Sequence, residues 1–370
     1  MPRLKSWKWD SWAEAALDTQ WIDRPVTIAV DTETTGLGFY DEPFAGQITW
    51  RRPSGNPGRN QGKASLRNWY FELSEDKARE AMRIILSNAE QWVFHNAKFD
   101  LQKLLLAGII DEEMLGRVTI HDTQTQYALL DENGRKGLKD LAVRVLKYDD
   151  TIRVPYADKR KKEWPEVYRE VSREKYLLDK TFRAMGLKKE DGFHLLPREV
   201  VVPYALKDTE FTLQLHEILY PQILGKDEAL QRLYQSEIEL QLVLLRMEAD
   251  GFALDVPYVE SKASEYGARV MEGLMGLVDL TGKADFNPNA PQQIMTALKK
   301  RGVSVENTQE ATLAVIEDDF ITALMQYRSD KKIHDYLAAI QRERRDELIH
   351  PNFNPTQART GRMSSSKAKE

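Results

Sequence analysis

Cysteine is missing from all 370 residues of the chain. That absence removes disulfides, thiolate-ligated zinc and iron–sulfur centres together. Histidine is scarce: the six residues, His95, His121, His194, His216, His334 and His350, are scattered and show no metal-ligand spacing. Any bound metal must therefore be held mainly by oxygen, which favours magnesium or manganese. Long hydrophobic runs are missing too, and no segment is apolar enough over a sufficient length to cross a bilayer. The N-terminal MPRLKSWKWDSWAEAAL carries cations, but Asp10, Glu14 and several tryptophans interrupt any continuous apolar core, so it does not read as a signal peptide. The expectation is a cytoplasmic protein with no membrane partner.

What is present suits two or three folded domains. Hydrophobic residues make up 42% and charged residues 30%, an ordinary balance for a chain that buries a core. The formal net charge of −5 argues against a protein that coats nucleic acid indiscriminately, but its distribution is uneven. Residues 321–370 hold ten Lys or Arg against six Asp or Glu, a net of +4, so the first 320 residues carry −9. An acidic body with a basic C-terminal end suits a metal site joined to a phosphate-gripping arm, although solvated surface charge would give the same numbers.

Residues 26–31 (VTIAVD) read as a buried strand, β-branched and uninterrupted. QITWR and NWYFELS read as two more, separated by the loop RPSGNPGRNQGKAS. Ser74 in S-E-D-K is placed to cap a helix ahead of acidic first-turn residues. WVFHN reads as a fourth strand, followed by a helix over 97–107. Strands alternating with helices indicate an α/β layer fold. A charged stretch, ADKRKKEWPEVYREVSREK, precedes a return to helical spacing from Leu196 to Leu219. Beyond Gly225 the texture changes to long helices, the first with an apolar stripe at Leu230, Tyr234, Ile238, Leu242 and Leu245 that ends at Gly251. These shifts divide the chain into an N-terminal extension (1–24), an α/β domain (25–225) and a mainly helical region (226–370).

Three segments bring carboxylates to element ends: VTIAVDTETTGL with Asp31 and Glu33, VFHNAKFDLQKL with Asp100, and VPYALKDTEFTL with Tyr204 and Asp208. Asp31 and Glu33 lie two apart at a strand end, so both side chains leave one face of the sheet. Tyr204 lies one helical turn before Asp208, on the same helix face. Hydrolysing a phosphodiester requires an activated water and stabilisation of charge on phosphorus, and two divalent ions about 3.5–4 Å apart supply both. Holding two such ions takes several carboxylates that would otherwise repel one another. Taken singly, an Asp-x-Glu at a strand end also fits an exposed turn, Asp100 a helix surface and Tyr204 a core position. Their conjunction in this chain order points to one pocket.

These motifs resemble those of the DEDD exonucleases, in the subgroup with tyrosine in the third motif. The resemblance implies a ribonuclease H-like fold, a mixed sheet flanked by helices, and release of nucleotides from 3′ ends with two Mg2+ (or Mn2+). It implies that Asp31, Glu33 and Asp208 bind one metal, that Asp31 and Asp100 bind the second, and that Tyr204 positions the water. Leu37 and Asn96 match family positions that contact the terminal nucleotide, and Thr32 matches by adjacency. Lys98 and Phe99 fit the pattern less specifically. HDTQTQYALLDENGRKGLKDLAVRVL resembles the segment that follows in polymerase proofreading domains, with Asp122 read first as a helix cap.

The resemblance extends past 225. LYQSEIELQLVLLRMEADGFALD resembles the helix entering the thumb of family A (polymerase I-like) DNA polymerases, DFNPNAPQQIMTALKKRGV their thumb tip, and MQYRSDKKIHDYL the long returning helix. HPNFNPTQARTGRMSSS resembles the stretch where primer and template are gripped. Arg328, Lys331 and Lys332 on one helix, with Arg359, Arg362 and Ser364 in a Gly- and Ser-rich segment, are the residue types that contact phosphates without reading sequence. The expected partner is therefore DNA, as a single-stranded 3′ end and as primer–template duplex. After Ser366 the family continues into a palm with two metal-binding aspartates, whereas this sequence gives Lys367-Ala368-Lys369-Glu370. It also shows no upstream 5′-nuclease, as in phage-type polymerases. The expectation is the proofreading portion of a truncated or split polymerase, unable to polymerise alone, with palm and fingers on a second chain or lost. Two other readings stay open: a non-catalytic DNA-binding subunit that completes a polymerase, and an RNA 3′-end trimming exonuclease.

Overall fold

Strand β1 (Thr27–Thr34) organises the first part of the molecule. Its Ile28, Ala29 and Val30 are all fully buried, as expected of a strand covered on both faces. The computed structural model describes residues 27–52, 65–146, 171–188, 191–356 and 362–366. The Trp-rich N-terminal extension, most of the loop between the second and third strands, most of the charged stretch before Val171 and Arg359 lie outside the described residues.

On one side β1 pairs antiparallel with β2 (Pro43–Arg52), and β2 antiparallel with β3 (Ser65–Glu72). On the other side β1 pairs parallel with β4 (Gln91–Phe94), and β4 parallel with β5 (Thr119–Asp122). The result is a five-stranded mixed sheet of order β3-β2-β1-β4-β5. Helix α1 (Asp76–Asn88) leads into β4, and α2 (Ala97–Leu106) makes the crossover that the parallel pair β4–β5 requires. Then come α3 (Thr123–Leu130), α4 (Arg173–Ala184), α5 (Arg198–Leu224) and α6 (Glu228–Asp250). The α/β layering is what the alternation implied, and the mixed sheet with flanking helices is what the family resemblance implied. Ser74 is not the cap of α1. Glu75 takes that position without a side-chain bond, because the Glu75 N–H closes a turn on the Glu72 carbonyl and leaves Ser74 inside the turn.

The two sheet faces have different covers. Ile28, Val30, Ile48, Trp50, Phe71 and Trp92 pack into one cluster with residues of α1 and α2, and α6 adds Tyr234, Ile238 and Leu245 from its stripe. On the opposite face Ala29 and Val93 meet Leu213 of α5, and Ala45 and Tyr70 meet Val202, Ala205 and Leu206. A buried hydroxyl pair, Thr49 Oγ1 to Thr209 Oγ1 at 2.7 Å, ties β2 to α5 beside Asp208. Because strand side chains alternate, Asp31 and Glu33 share the face of Ala29 and look toward α5.

By compactness the chain forms two units, residues 250–350 and the remainder. The boundary expected near 225 follows a change of texture, whereas α6 joins the sheet's core cluster. The 250–350 unit is mainly helical: α7 (Val256–Thr281), α8 (Pro291–Lys300) and α9 (Asp319–Glu343), with the short pair β6 (Phe252–Ala253) and β7 (Leu348–Ile349). Its own core gathers Leu277, Phe286, Ile294, Leu298, Phe320 and Leu324. A last hairpin, β8 (Asn352–Asn354) with β9 (Ser364–Ser366), belongs to the first unit.

Behind the sheet ends lies a buried polar cluster. The Gln126 amide nitrogen reaches His216 Nδ1 at 2.9 Å and Tyr234 Oη at 3.0 Å, while His121 Nδ1 lies 3.1 Å from the same phenol. The two imidazole rings sit 4.5 Å apart. Burial lowers the pKa of His121 from 6.5 to about 4 and that of His216 to about 3, the latter helped by its histidine neighbour. Both rings fold in the neutral form, so their contribution is fully present above about pH 6.5 and is lost as pH falls toward 4 and 3. His121 alone is expected to remove roughly 3 kcal/mol of stability over that descent. Denaturant titrations at pH 7, 5.5 and 4.5 should show a steep acid loss that flattens in H121Q/H216Q; equal slopes in both proteins would refute the assignment.

Candidate active site

Four acids and one tyrosine meet where β1, α2 and α5 approach. Asp31 and Glu33 come from the end of β1, and an irregularity in the β1–β2 ladder falls immediately after Glu33. Asp100 comes from the first turn of α2, where it is buried, and Asp208 and Tyr204 come from adjacent turns of α5. The Thr32 N–H and hydroxyl both donate to Asp100 Oδ1, at 2.9 and 2.7 Å, fixing that carboxylate against β1. Gln47, opposite Asp31 on β2, holds its amide nitrogen 3.3 Å from Asp31 Oδ2 when oriented to donate. The Asp208 carboxylate pairs with the Lys139 ammonium.

The electrostatics are those of crowded buried acids. Removal from water raises the Asp31 carboxyl to about 7, with Lys139 pulling the other way. Burial, and then the Asp31 charge, push Glu33 well above the usual carboxylate range. Asp100 is raised for the same two reasons, partly offset by its Thr32 hydrogen bonds. Burial and the charges of Glu33 and Asp31 raise the Tyr204 phenol, which therefore stays protonated. Perturbation of this kind concentrates where a protein stores charge for a purpose.

The remaining predicted residues are placed as follows. Asn96 adopts a left-handed backbone, φ 80°, at the start of α2, a conformation that asparagine tolerates better than most residues. Asp122 is the helix cap expected of it, accepting from Gln124 and Thr125 N–H groups. It also accepts from Asn96 and Ala97, at 3.1 and 3.0 Å, so one carboxylate anchors the starts of α2 and α3. Leu37 is 51% exposed on the loop after β1. Arg328, Lys331 and Lys332 all lie on α9, but Arg328 donates to the Thr308 carbonyl at 2.7 Å and Lys331 pairs with Asp335 at 3.0 Å. Arg362 and Ser364 belong to the C-terminal hairpin segment, in the other compact unit.

The donor set is entirely oxygen and strongly anionic, which fits a hard divalent ion. Among the described residues, no three acids or histidines surround one point closely enough to hold a metal as they stand. Lys139 meanwhile occupies Asp208. A divalent ion bound at Asp208 would have to displace the ammonium already paired with that carboxylate.

With the geometry in place, comparison with known proteins decides the family. The profile of the 3′-5′ exonuclease domain of DNA polymerase A matches residues 10–224, more than half of the chain. The chain belongs to that family. It is 25% identical over 364 residues to DNA polymerase I of Pseudomonas aeruginosa, covering 93% of this chain and 36% of that protein. It is 25% identical to DNA polymerase DpoZ of Vibrio phage phiVC8, covering 90% of this chain and 53% of the phage protein. Among solved structures, the POL domain of Pol1 from M. smegmatis, in complex with DNA primer-template and dNTP, is similar at a TM-score of 0.60 and 19% identity. The alignment covers 98% of this chain and 54% of that one, a likeness of fold. The chain thus spans between about a third and a half of the length of these relatives.

Two residues of this exonuclease domain escaped the reading by motif. Lys103 is fully buried on α2, and its ammonium donates to the carbonyls of Gly38, Phe39 and Asp41, so it holds the loop that presents Leu37. Lys139 lies in GRKGLKDL, where a lysine among polar residues reads as solvated charge. Its spacing to Asp31 and Asp208 gave no signal.

Proposed function

We propose that the chain removes nucleotides from DNA 3′ ends by hydrolysis of the terminal phosphodiester with two divalent ions, Mg2+ or Mn2+, as the proofreading portion of a family A DNA polymerase. The observation that supports this reading is the burial of Glu33, Asp100 and Asp208, with Asp31 and Tyr204 in their electrostatic reach, within a matched 3′-5′ exonuclease domain. Asp31, Glu33 and Asp208 would hold one ion, and Asp31 and Asp100 the other. The ions supply water activation and stabilise charge on the phosphorus. Tyr204, protonated throughout the working range, orients the attacking water by hydrogen bonding and does not act as the base. Thr32 serves the site through Asp100, while Leu37 and Asn96 contact the terminal nucleotide.

The test is incubation of the purified protein with Mg2+ and a 5′-labelled primer–template carrying a mismatched 3′ end. A ladder shortening from that end is expected. Equal trimming of an RNA primer would favour the RNA-processing reading, and intact DNA binding without shortening would favour a binding subunit. DNA as partner draws further support from the solved relative, which is bound to primer-template. Charge reversal at Lys331, Lys332 and Arg362 is expected to weaken duplex binding and to flatten its salt dependence by about one unit of log–log slope per lost phosphate contact. An unchanged affinity and slope in fluorescence anisotropy would remove these residues from the DNA surface.

A further inference from the structure

Lys139 has no assigned part in this site, yet its ammonium pairs with one of the site's acids. It stands on a short helical turn, Leu138–Leu141. Its ammonium pairs with Asp208 Oδ1, and the two side chains are only 12% and 11% exposed. The ammonium also lies 4.8 Å from the centre of the Tyr204 ring and 5.0 Å from that of Phe211. A cation held between two aromatic faces and a carboxylate gains from all three. The fields of Asp31, Glu174 and Glu33 favour its charged form, and that of Lys175 opposes it. A lysine buried to this degree needs partners, and those that touch it are one acid of the site and two aromatic rings of the helix that carries that acid.

We propose that Lys139 is an internal counterion that holds the cation position at Asp208 in the metal-free protein and is displaced when a divalent ion binds. This rests on the metal-dependent reading above. The physical case has two halves. Without a cation, four carboxylates in a poorly hydrated pocket repel one another, and Lys139 neutralises part of that charge. With divalent ions present, the ammonium becomes a like charge beside them and blocks an oxygen they need. A flexible four-carbon stem lets it withdraw, which the rigid fork of arginine would not do as readily. Metal uptake is then an exchange of cations, and Lys139 sets the divalent concentration at which the site fills.

The experiment is calorimetric titration of wild type, K139M and K139R with Mn2+ alone, beside thermal unfolding in EDTA. K139M is expected to bind Mn2+ about tenfold more tightly, the size of one removed charge–charge competition. It is also expected to melt earlier than wild type in EDTA, and this difference should shrink in a D208N background because the lost partner is the same. K139R should keep the metal-free stability. Equal or weaker Mn2+ binding by folded K139M, while wild type binds, overturns the exchange and leaves the metal site standing. Failure of wild type to bind Mn2+ at all overturns the metal site itself and the inference with it. Should K139M not fold, the unmodified protein gives the answer. In 15N-lysine-labelled wild type, the ammonium signal absent from K139R should shift on Mg2+ saturation, and a signal indifferent to Mg2+ rules the exchange out.

Discussion

Release of nucleotides from the 3′ end is expected to fall by at least about 10³-fold in D31A/E33A, equivalent to roughly 4 kcal/mol of lost barrier reduction. Both carboxylates leave β1 on the face turned to α5, and alanine offers no oxygen ligand in the place of either. The same substitution is expected to leave the metal-free fold intact or slightly more stable. Asp31 and Glu33 are raised by burial, and Glu33 also by the charge of Asp31, so in the folded protein their ionised forms are held against a penalty. Removing them relieves that penalty, and Lys139 keeps Asp208 as its partner. Linkage gives the sign: a carboxyl raised on folding contributes stability below its unfolded pKa and loses it as pH climbs through the folded value, near 7 for Asp31. The gain in the double variant should therefore be larger at pH 8 than at pH 5. Single-turnover degradation of a labelled primer and thermal unfolding in EDTA decide the matter together. A variant that keeps a tenth of wild-type activity would place the chemistry elsewhere. One that is inactive because it is unfolded would show Asp31 and Glu33 to be structural.

How much of this was legible depends on sequence distance. The β1 acids could be read because a strand's two-residue period and a run of β-branched neighbours fix their face locally. Tyr204 and Asp208 could be read because four residues make one helical turn. The α/β layering followed from the alternation of strands and helices and the mixed sheet from the family resemblance, whereas the strand order β3-β2-β1-β4-β5 rests on pairings between distant segments that no local pattern encodes. Lys139 could not be read. Its burial depends on Asp208, 69 residues away, and on the aromatic rings of α5. Ser74 misled because a capping pattern is a local preference, and here the turn leaving β3 had a stronger claim on the backbone. Asp122 was read as one cap and turned out to serve two helices, since its second customer, the start of α2, reaches it only through the parallel β4–β5 pairing. The stripe on α6 was visible, but a stripe does not say which core it joins.

Lys98 illustrates the same limit at larger energetic scale. Two residues before Asp100, it sends its ammonium away from the acids to pair with Glu248 of α6 and to donate to Asn352 Oδ1 at 2.9 Å. Glu248 in turn accepts the Phe353 N–H at 2.5 Å, so one buried pair joins α2, α6 and the C-terminal hairpin. Lys98 is 6% exposed and Glu248 3%. Replacing Glu248 by leucine is expected to destabilise the protein by about 3–5 kcal/mol, because it strands an ammonium in a dry interior and leaves the hairpin's N–H unpaired. Burial already lowers the Lys98 pKa against the support of Glu248. Without that support the lysine must shed its proton or drag water inward. K98M/E248L removes both charges and should recover most of the loss, since the desolvation of a buried pair roughly cancels its attraction. Guanidinium titrations of the wild type, both single variants and the double variant close the cycle. A coupling below about 0.5 kcal/mol would mean that the pair is hydrated in solution. A large coupling with earlier proteolysis of the hairpin in E248L would show that the element carrying Asp100 and the segment carrying Arg362 are held by the same two charges.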